Sequence, residues 1–196
     1  GMSWDHDEPD WPDAGRACTL VKRDGQYWGH VYNTWMNRRL MHVCGAAEGW
    51  HRRALQTADG VAALGLDGLY MDQVAIIGGT VPCYSLEHGH TPGGGDYGTA
   101  GFRRLLEAIR ARHPRLRLSS EGVAEVYQDL LEACISLQTS TERPGEVIPL
   151  FPAVYHGHAT VFGMYTHLDG ITPYDETWPA EFRPDPSRER DWHRLC

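Results

Sequence analysis

The sequence has no long apolar run. Its longest, Val61 to Leu66 and Val74 to Ile77, fall far short of the ~20 residues a membrane-spanning helix needs. It is also poor in positive charge: 18 Lys and Arg stand against 26 Asp and Glu, a formal net charge of -8. Such a surface repels phosphate backbones and anionic headgroups, so neither nucleic acid nor a membrane is expected as a partner. No Cys-x-x-Cys pair occurs among the cysteines Cys18, Cys44, Cys83, Cys134 and Cys196. An odd, widely spaced set predicts free, buried thiols in a reducing compartment such as the cytoplasm, instead of a disulfide framework. The acidic start differs from the basic start of a signal peptide. There is no internal repeat, no low-complexity tract and no Gly-x-x-x-x-Gly-Lys phosphate loop.

What is present is an ordinary globular composition. The chain has 196 residues, 41% hydrophobic and 22% charged, enough for one sizeable core. Residues 1–15 read as a flexible polar lead-in, 16–175 as the folded unit and 176–196 as a polar tail. The clearest helix runs from Thr99 to His113, with Phe102, Leu105, Leu106 and Ile109 at i, i+3, i+4, i+7 and Pro114 ending it. Its opposite face carries Arg103, Arg104, Arg110 and Arg112, read as a solvated side. A second helix is expected from Trp50 to Leu64 and a third from Glu125 to Ala133. Strand-like runs stand at Tyr27 to Tyr32, Leu40 to Cys44, Gly68 to Asp72, Leu116 to Ser120, Cys134 to Gln138 and Val147 to Tyr155. Strands alternating with helices predict an α/β fold with a parallel sheet built from right-handed βαβ units.

In such folds chemistry collects at the C-terminal ends of the strands. The run Gly68-Leu69-Tyr70-Met71 is closed by Asp72, and Leu116-Arg117-Leu118-Ser119-Ser120 by Glu121. Alternation puts Tyr70 and Asp72 on one face, and Ser119 and Glu121 on the corresponding face of the next strand. Two carboxyls on one rim can flank a glycosidic bond, one protonating the leaving oxygen while the other attacks the anomeric carbon or activates water. The same residue types also follow strands as turn formers or helix caps, and spacing alone leaves both open.

The 26 residues from Gln73 to Gly98 form a loop long enough to suggest function. It holds Cys83, His88, His90 and the run Gly93-Gly94-Gly95. Cys83-x4-His88-x-His90 and His156-x-His158 each offer only two or three metal-type ligands, and hydrogen-bonding histidines are commoner. No metal and no cofactor are therefore expected. Metal-dependent hydrolysis at these histidines stands as a third reading. Tyr155 and His156, at the end of the strand-like run around Val154, could stack on a sugar face.

Taken together, Asp67-Gly68-Leu69-Tyr70-Met71-Asp72-Gln73, Cys83-Tyr84 through His88-Gly89-His90, Ser120-Glu121-Gly122 and Ala153-Val154-Tyr155-His156-Gly157 resemble a glycoside-hydrolase (β/α)8 TIM-type barrel. The clan is that of the α-galactosidases and endo-α-N-acetylgalactosaminidases, and the resemblance spans roughly Trp28 to Tyr165. It implies a retaining glycoside hydrolase with a carbohydrate substrate, Asp72 as nucleophile and Glu121 as acid/base. Tyr70, Gln73, His88, His90, Tyr155 and His156 would line the sugar subsite. Two features depart from that pattern. Arg117 shares a face with Glu121, and about six strands are visible where a whole barrel has eight in about 250 residues. A partial barrel is the expectation. Its rival is a non-catalytic barrel fragment that binds carbohydrate or serves only as a structural remnant, its open sheet edges pairing in a homo-oligomer.

Overall fold

A computed structural model describes residues 3–31, 38–77, 81–135 and 150–162. The elements in chain order are β1 (Ser3–Asp5), β2 (Gly29–Val31), β3 (Arg39–His42), α1 (Glu48–Ala63), β4 (Gly68–Met71), α2 (Val74–Ile77), α3 (Tyr97–Arg112), β5 (Arg117–Glu121), β6 (Ala133–Ile135), α4 (Leu150–Tyr155) and β7 (Thr160–Phe162). Strands β4, β5, β6 and β7 lie side by side in one parallel sheet, in sequence order. The mixed α/β class and the parallel sheet are thus as expected. Among the described residues the sheet is open, and no closed barrel is formed. No helix among them is long and apolar enough to cross a membrane.

The helix with the strongest periodicity supplies the core. Phe102, Leu105, Leu106 and Ile109 of α3 are essentially sealed from solvent, against a cluster that includes Val43, Ala58, Met71 and Leu118. Burying each such side chain is worth ~1.5–3 kcal/mol before conformational entropy is charged. The approach of α3 to the segment after β3 is set by two glycines. A Cβ on Gly101 would stand 2.1 Å from the Gly45 carbonyl oxygen, so only hydrogen fits there.

Four expectations need correcting. The strands at Tyr27 to Tyr32 and Leu40 to Cys44 give β2 and β3, but these pair antiparallel with each other and with β1, outside the parallel sheet. Of residues 1–15, expected as a flexible lead-in, the described part, residues 3–15, packs against the fold. Trp4 is buried on β1, and its indole N–H donates to Asp10. Arg53 of α1 pairs with both Glu8 and Asp10 at 2.8 Å while its guanidinium lies over the Trp4 ring. The acidic residues that suggested disorder are the partners of a helix arginine.

The helix expected from Glu125 to Ala133 is a single 3-10 turn, Glu125–Tyr127, followed by β6. Tyr127, Leu130 and Leu131 are all buried. The Glu132 N–H donates to the Leu118 carbonyl and its carboxylate accepts the Leu118 N–H, which draws the segment onto β5. Of the strand expected from Val147 to Tyr155, residues 150–155 form α4, and β7 begins only at Thr160. Phe151 and Tyr155 meet at i, i+4 spacing, and a proline is tolerated in a first helical turn because no hydrogen bond is lost there. Residues 147–149, the end of the run to Gln138 and the tail 176–196 lie outside the described residues.

The arginine face of α3 is also more engaged than a solvated side. Arg103 pairs with Glu107 and Asp129, Arg110 with Glu132, and Arg112 with Asp59. Each pair is partly exposed and screened by solvent, so together they orient α3 more than they hold it.

Candidate active site

Register places the two strand-ending carboxyls next to one another. Met71 of β4 pairs with Ser120 of β5, so the residues that follow, Asp72 just past β4 and Glu121 at the end of β5, stand side by side. The turn that carries Asp72 is tied to β5 by one buried hydroxyl. Ser120 donates to the Met71 carbonyl at 2.7 Å and accepts the Ala75 N–H at 3.1 Å. Gln73 takes a left-handed φ of 62° to turn the chain from β4 into α2. Beyond Glu121, Gly122 has φ 77°, and a Cβ there would stand 2.4 Å from Ile76 Cγ1, so α2 can lie directly over the end of β5.

The electrostatics of the pair are asymmetric. Burial raises the Glu121 carboxyl to about 7, with its hydrogen bond to Asp72 and the charge of Asp72 adding to the effect. Glu121 therefore keeps a proton up to neutrality, as a general acid must. Burial also raises Tyr70, with further contributions from the charges of Glu121 and Asp72 and from a hydrogen bond to Asp72. Tyr70 nonetheless remains 41% exposed, so its ring edge is open to a ligand. Tyr70, Asp72, Gln73 and Glu121 are thus brought together at the ends of β4 and β5.

The other expected site residues sit elsewhere. Tyr155, at the end of α4, donates its hydroxyl to Glu125, and His156 is exposed with Nδ1 3.2 Å from the Ala153 carbonyl. His88 is buried, with one ring nitrogen on the Ala17 carbonyl and the other on Cys83 Sγ. His90 contacts Cys44 Sγ and stacks on the Tyr97 ring at 3.8 Å between centroids. Both histidines line a separate cleft of about 1160 Å3 whose walls include Glu48, Arg52, Asp96 and Arg104, but none of Tyr70, Asp72, Gln73 or Glu121. Two residues of consequence were not singled out by sequence reasoning. Ser120 could have been found from the alternation that turns it inward beside Met71. Cys44 had no signal, because its partners lie 39 to 46 positions away.

The model of the family described as a domain of unknown function, DUF6259, matches residues 1–167. A Bacteroides thetaiotaomicron protein named "Putative glycoside hydrolase" is 28% identical over 158 residues, which is 79% of this chain and 23% of that protein. A Monosiga brevicollis protein named "Putative glycoside hydrolase 22789" is 30% identical over 131 residues, 64% of this chain and 11% of its own length. The chain therefore spans less than a quarter of either relative. Among solved structures, an alpha-N-acetylgalactosaminidase from Bifidobacterium bifidum, a quadruple mutant, aligns with TM-score 0.59 at 18% identity, covering 80% of this chain and 25% of that one. That likeness is one of fold. The clan resemblance carried by the motifs around Asp72 and Glu121 agrees with the names of these relatives.

Proposed function

The chain belongs to the DUF6259 family of domains of unknown function, and from that premise we propose that it is part of a (β/α)8-barrel glycoside hydrolase working by retention. Asp72 attacks the anomeric carbon while Glu121 gives its proton to the glycosidic oxygen, so the leaving alcohol departs neutral. The glycosyl ester on Asp72 is then cleaved by water, which loses a proton to the Glu121 carboxylate and restores both groups. Tyr70 hydrogen-bonds Asp72 and orients it, and Gln73, on the strained turn, faces the sugar hydroxyls.

What supports this is the register that sets Asp72 beside Glu121 at the ends of β4 and β5, together with the rise of Glu121 to about 7 caused first by burial and then by Asp72. Retention needs carboxyls about 5–5.5 Å apart, whereas inversion needs about 6.5–9.5 Å to admit a water between them. Carboxyls at matching ends of neighbouring strands, whose backbones lie about 4.8 Å apart, favour the close side of that divide. The test is a panel of aryl glycosides offered to the wild-type chain, Asp72→Asn and Glu121→Gln. Turnover by the wild type and its loss in Asp72→Asn are expected, with both variants folded by circular dichroism. Full activity in both variants would remove the assignment. Sugar affinity without turnover by the wild type would favour a non-catalytic carbohydrate-binding unit instead.

A further inference from the structure

Four metal-type ligands converge at the end of β3. One nitrogen or sulfur from each of Cys44, Cys83, His88 and His90 lies within 4.8 Å of all the others. Cys44 follows β3, while the other three come from the irregular stretch between α2 and α3. Cys44 Sγ is 3.4 Å from His90 Nε2 and Cys83 Sγ is 3.4 Å from His88 Nδ1. A tetrahedral zinc with bonds of about 2.0–2.3 Å sets its ligand atoms about 3.4–3.8 Å apart, so these edges already have the required length.

The backs of the two imidazoles are committed. His88 Nε2 donates to the Ala17 carbonyl at 2.9 Å and His90 Nδ1 donates to the Thr91 carbonyl at 3.0 Å. Each ring therefore directs its unprotonated nitrogen at the thiols. A backbone carbonyl holding the far N–H is the support that metal-bound histidines receive. His90 is clamped further by its stack on Tyr97, whose hydroxyl donates to the Val81 carbonyl and accepts the Cys83 N–H.

We propose that Cys44, Cys83, His88 and His90 bind one structural Zn2+ ion. Two thiolates neutralise the dication, so the burial of both cysteines and His88 places no net charge in the interior. Two sulfur and two nitrogen donors suit zinc over the hard cations, and four protein ligands leave no open position for catalysis. The ion's work is mechanical: it ties the loop that follows Asp72 to the end of β3. Binding releases the two thiol protons to solvent.

The test is metal analysis of the chain purified without chelators, from medium containing zinc. About one zinc per chain is expected. Cobalt should replace it and give the visible bands of a tetrahedral ion with thiolate charge transfer. His90→Ala, whose site is only partly buried, should weaken zinc by more than the roughly 10–100-fold that losing an outer-shell partner costs. Substoichiometric metal together with failure to take up added zinc would overturn the proposal. So would a Cys44–Cys83 disulfide found by mass spectrometry of the unreduced protein. Because the decisive readings are made on the wild-type chain, a variant that fails to fold does not blunt them.

Discussion

Replacing Glu121 by Gln should change how stability depends on pH. The glutamine keeps the shape of the protonated acid and removes its charge. In the folded chain burial holds Glu121 at about 7, above its ordinary 4.5. Between those two values the folded protein carries a proton that the unfolded chain has already released, so wild-type stability falls as pH rises through this window. The loss is complete above pH ~7. At ~1.36 kcal/mol per pKa unit the ceiling is about 3 kcal/mol, and because Glu121 is only partly buried, solvent screening lowers it to ~1–2 kcal/mol. Urea unfolding at pH 5 and pH 8 reads this directly. Glu121→Gln should match the wild type to within about 1 kcal/mol at pH 5 and gain a further ~1–2 kcal/mol over it at pH 8. Parallel pH dependence in the two proteins would show that Glu121 is not held protonated by the fold, and would remove the physical ground for its role as the acid.

In Asp72→Asn the Glu121 carboxyl should titrate below about 7 yet above its ordinary 4.5, because burial is the larger cause and survives the substitution. Carbonyl NMR of labelled glutamate checks this, and an unmoved titration would mean that the two groups do not interact. Ser120→Ala leaves the Ala75 N–H and the Met71 carbonyl without their shared partner. It should cost ~1–3 kcal/mol in urea unfolding, and a change within ~0.5 kcal/mol would count against the hydroxyl as a tie. Gly101→Ala should destabilise by at least ~1–3 kcal/mol although alanine favours helix by ~1 kcal/mol, because the methyl group would stand 2.1 Å from the Gly45 oxygen. A more stable variant would show that α3 and the residue 45 segment can move apart.

The parts of the fold that were legible in the sequence are those fixed by local periodicity. The helix over Phe102, Leu105, Leu106 and Ile109 is found to within two residues at each end, and the strands that lead to Asp72 and Glu121 occur where alternation puts them. The failures share a cause, which is that distant partners decided the outcome. Asp10 and Glu8 look like solvent-seeking residues until Arg53 is beside them. Tyr127, Leu130 and Leu131 carry helical spacing, yet the Leu118 backbone captures Glu132, and a 3-10 turn leading into β6 takes the place of the helix. Strand-like composition around Val154 gives way to a short helix. The carboxyl pair was readable because each acid ends its own strand. Of the thiol–imidazole cluster, Cys83, His88 and His90 were visible as a possible ligand set; Cys44 was not, because it is brought to His90 only by the tertiary fold.

The Ser120 hydroxyl has a mechanical consequence. By holding the carbonyl of Met71 and the N–H of Ala75 at once, it makes the end of β4, the turn through Asp72 and the end of β5 a single strut. Asp72 and Glu121 then share one foundation and keep their spacing whatever enters between them. Any yielding needed to admit a bulky ligand falls to the chain beyond that strut.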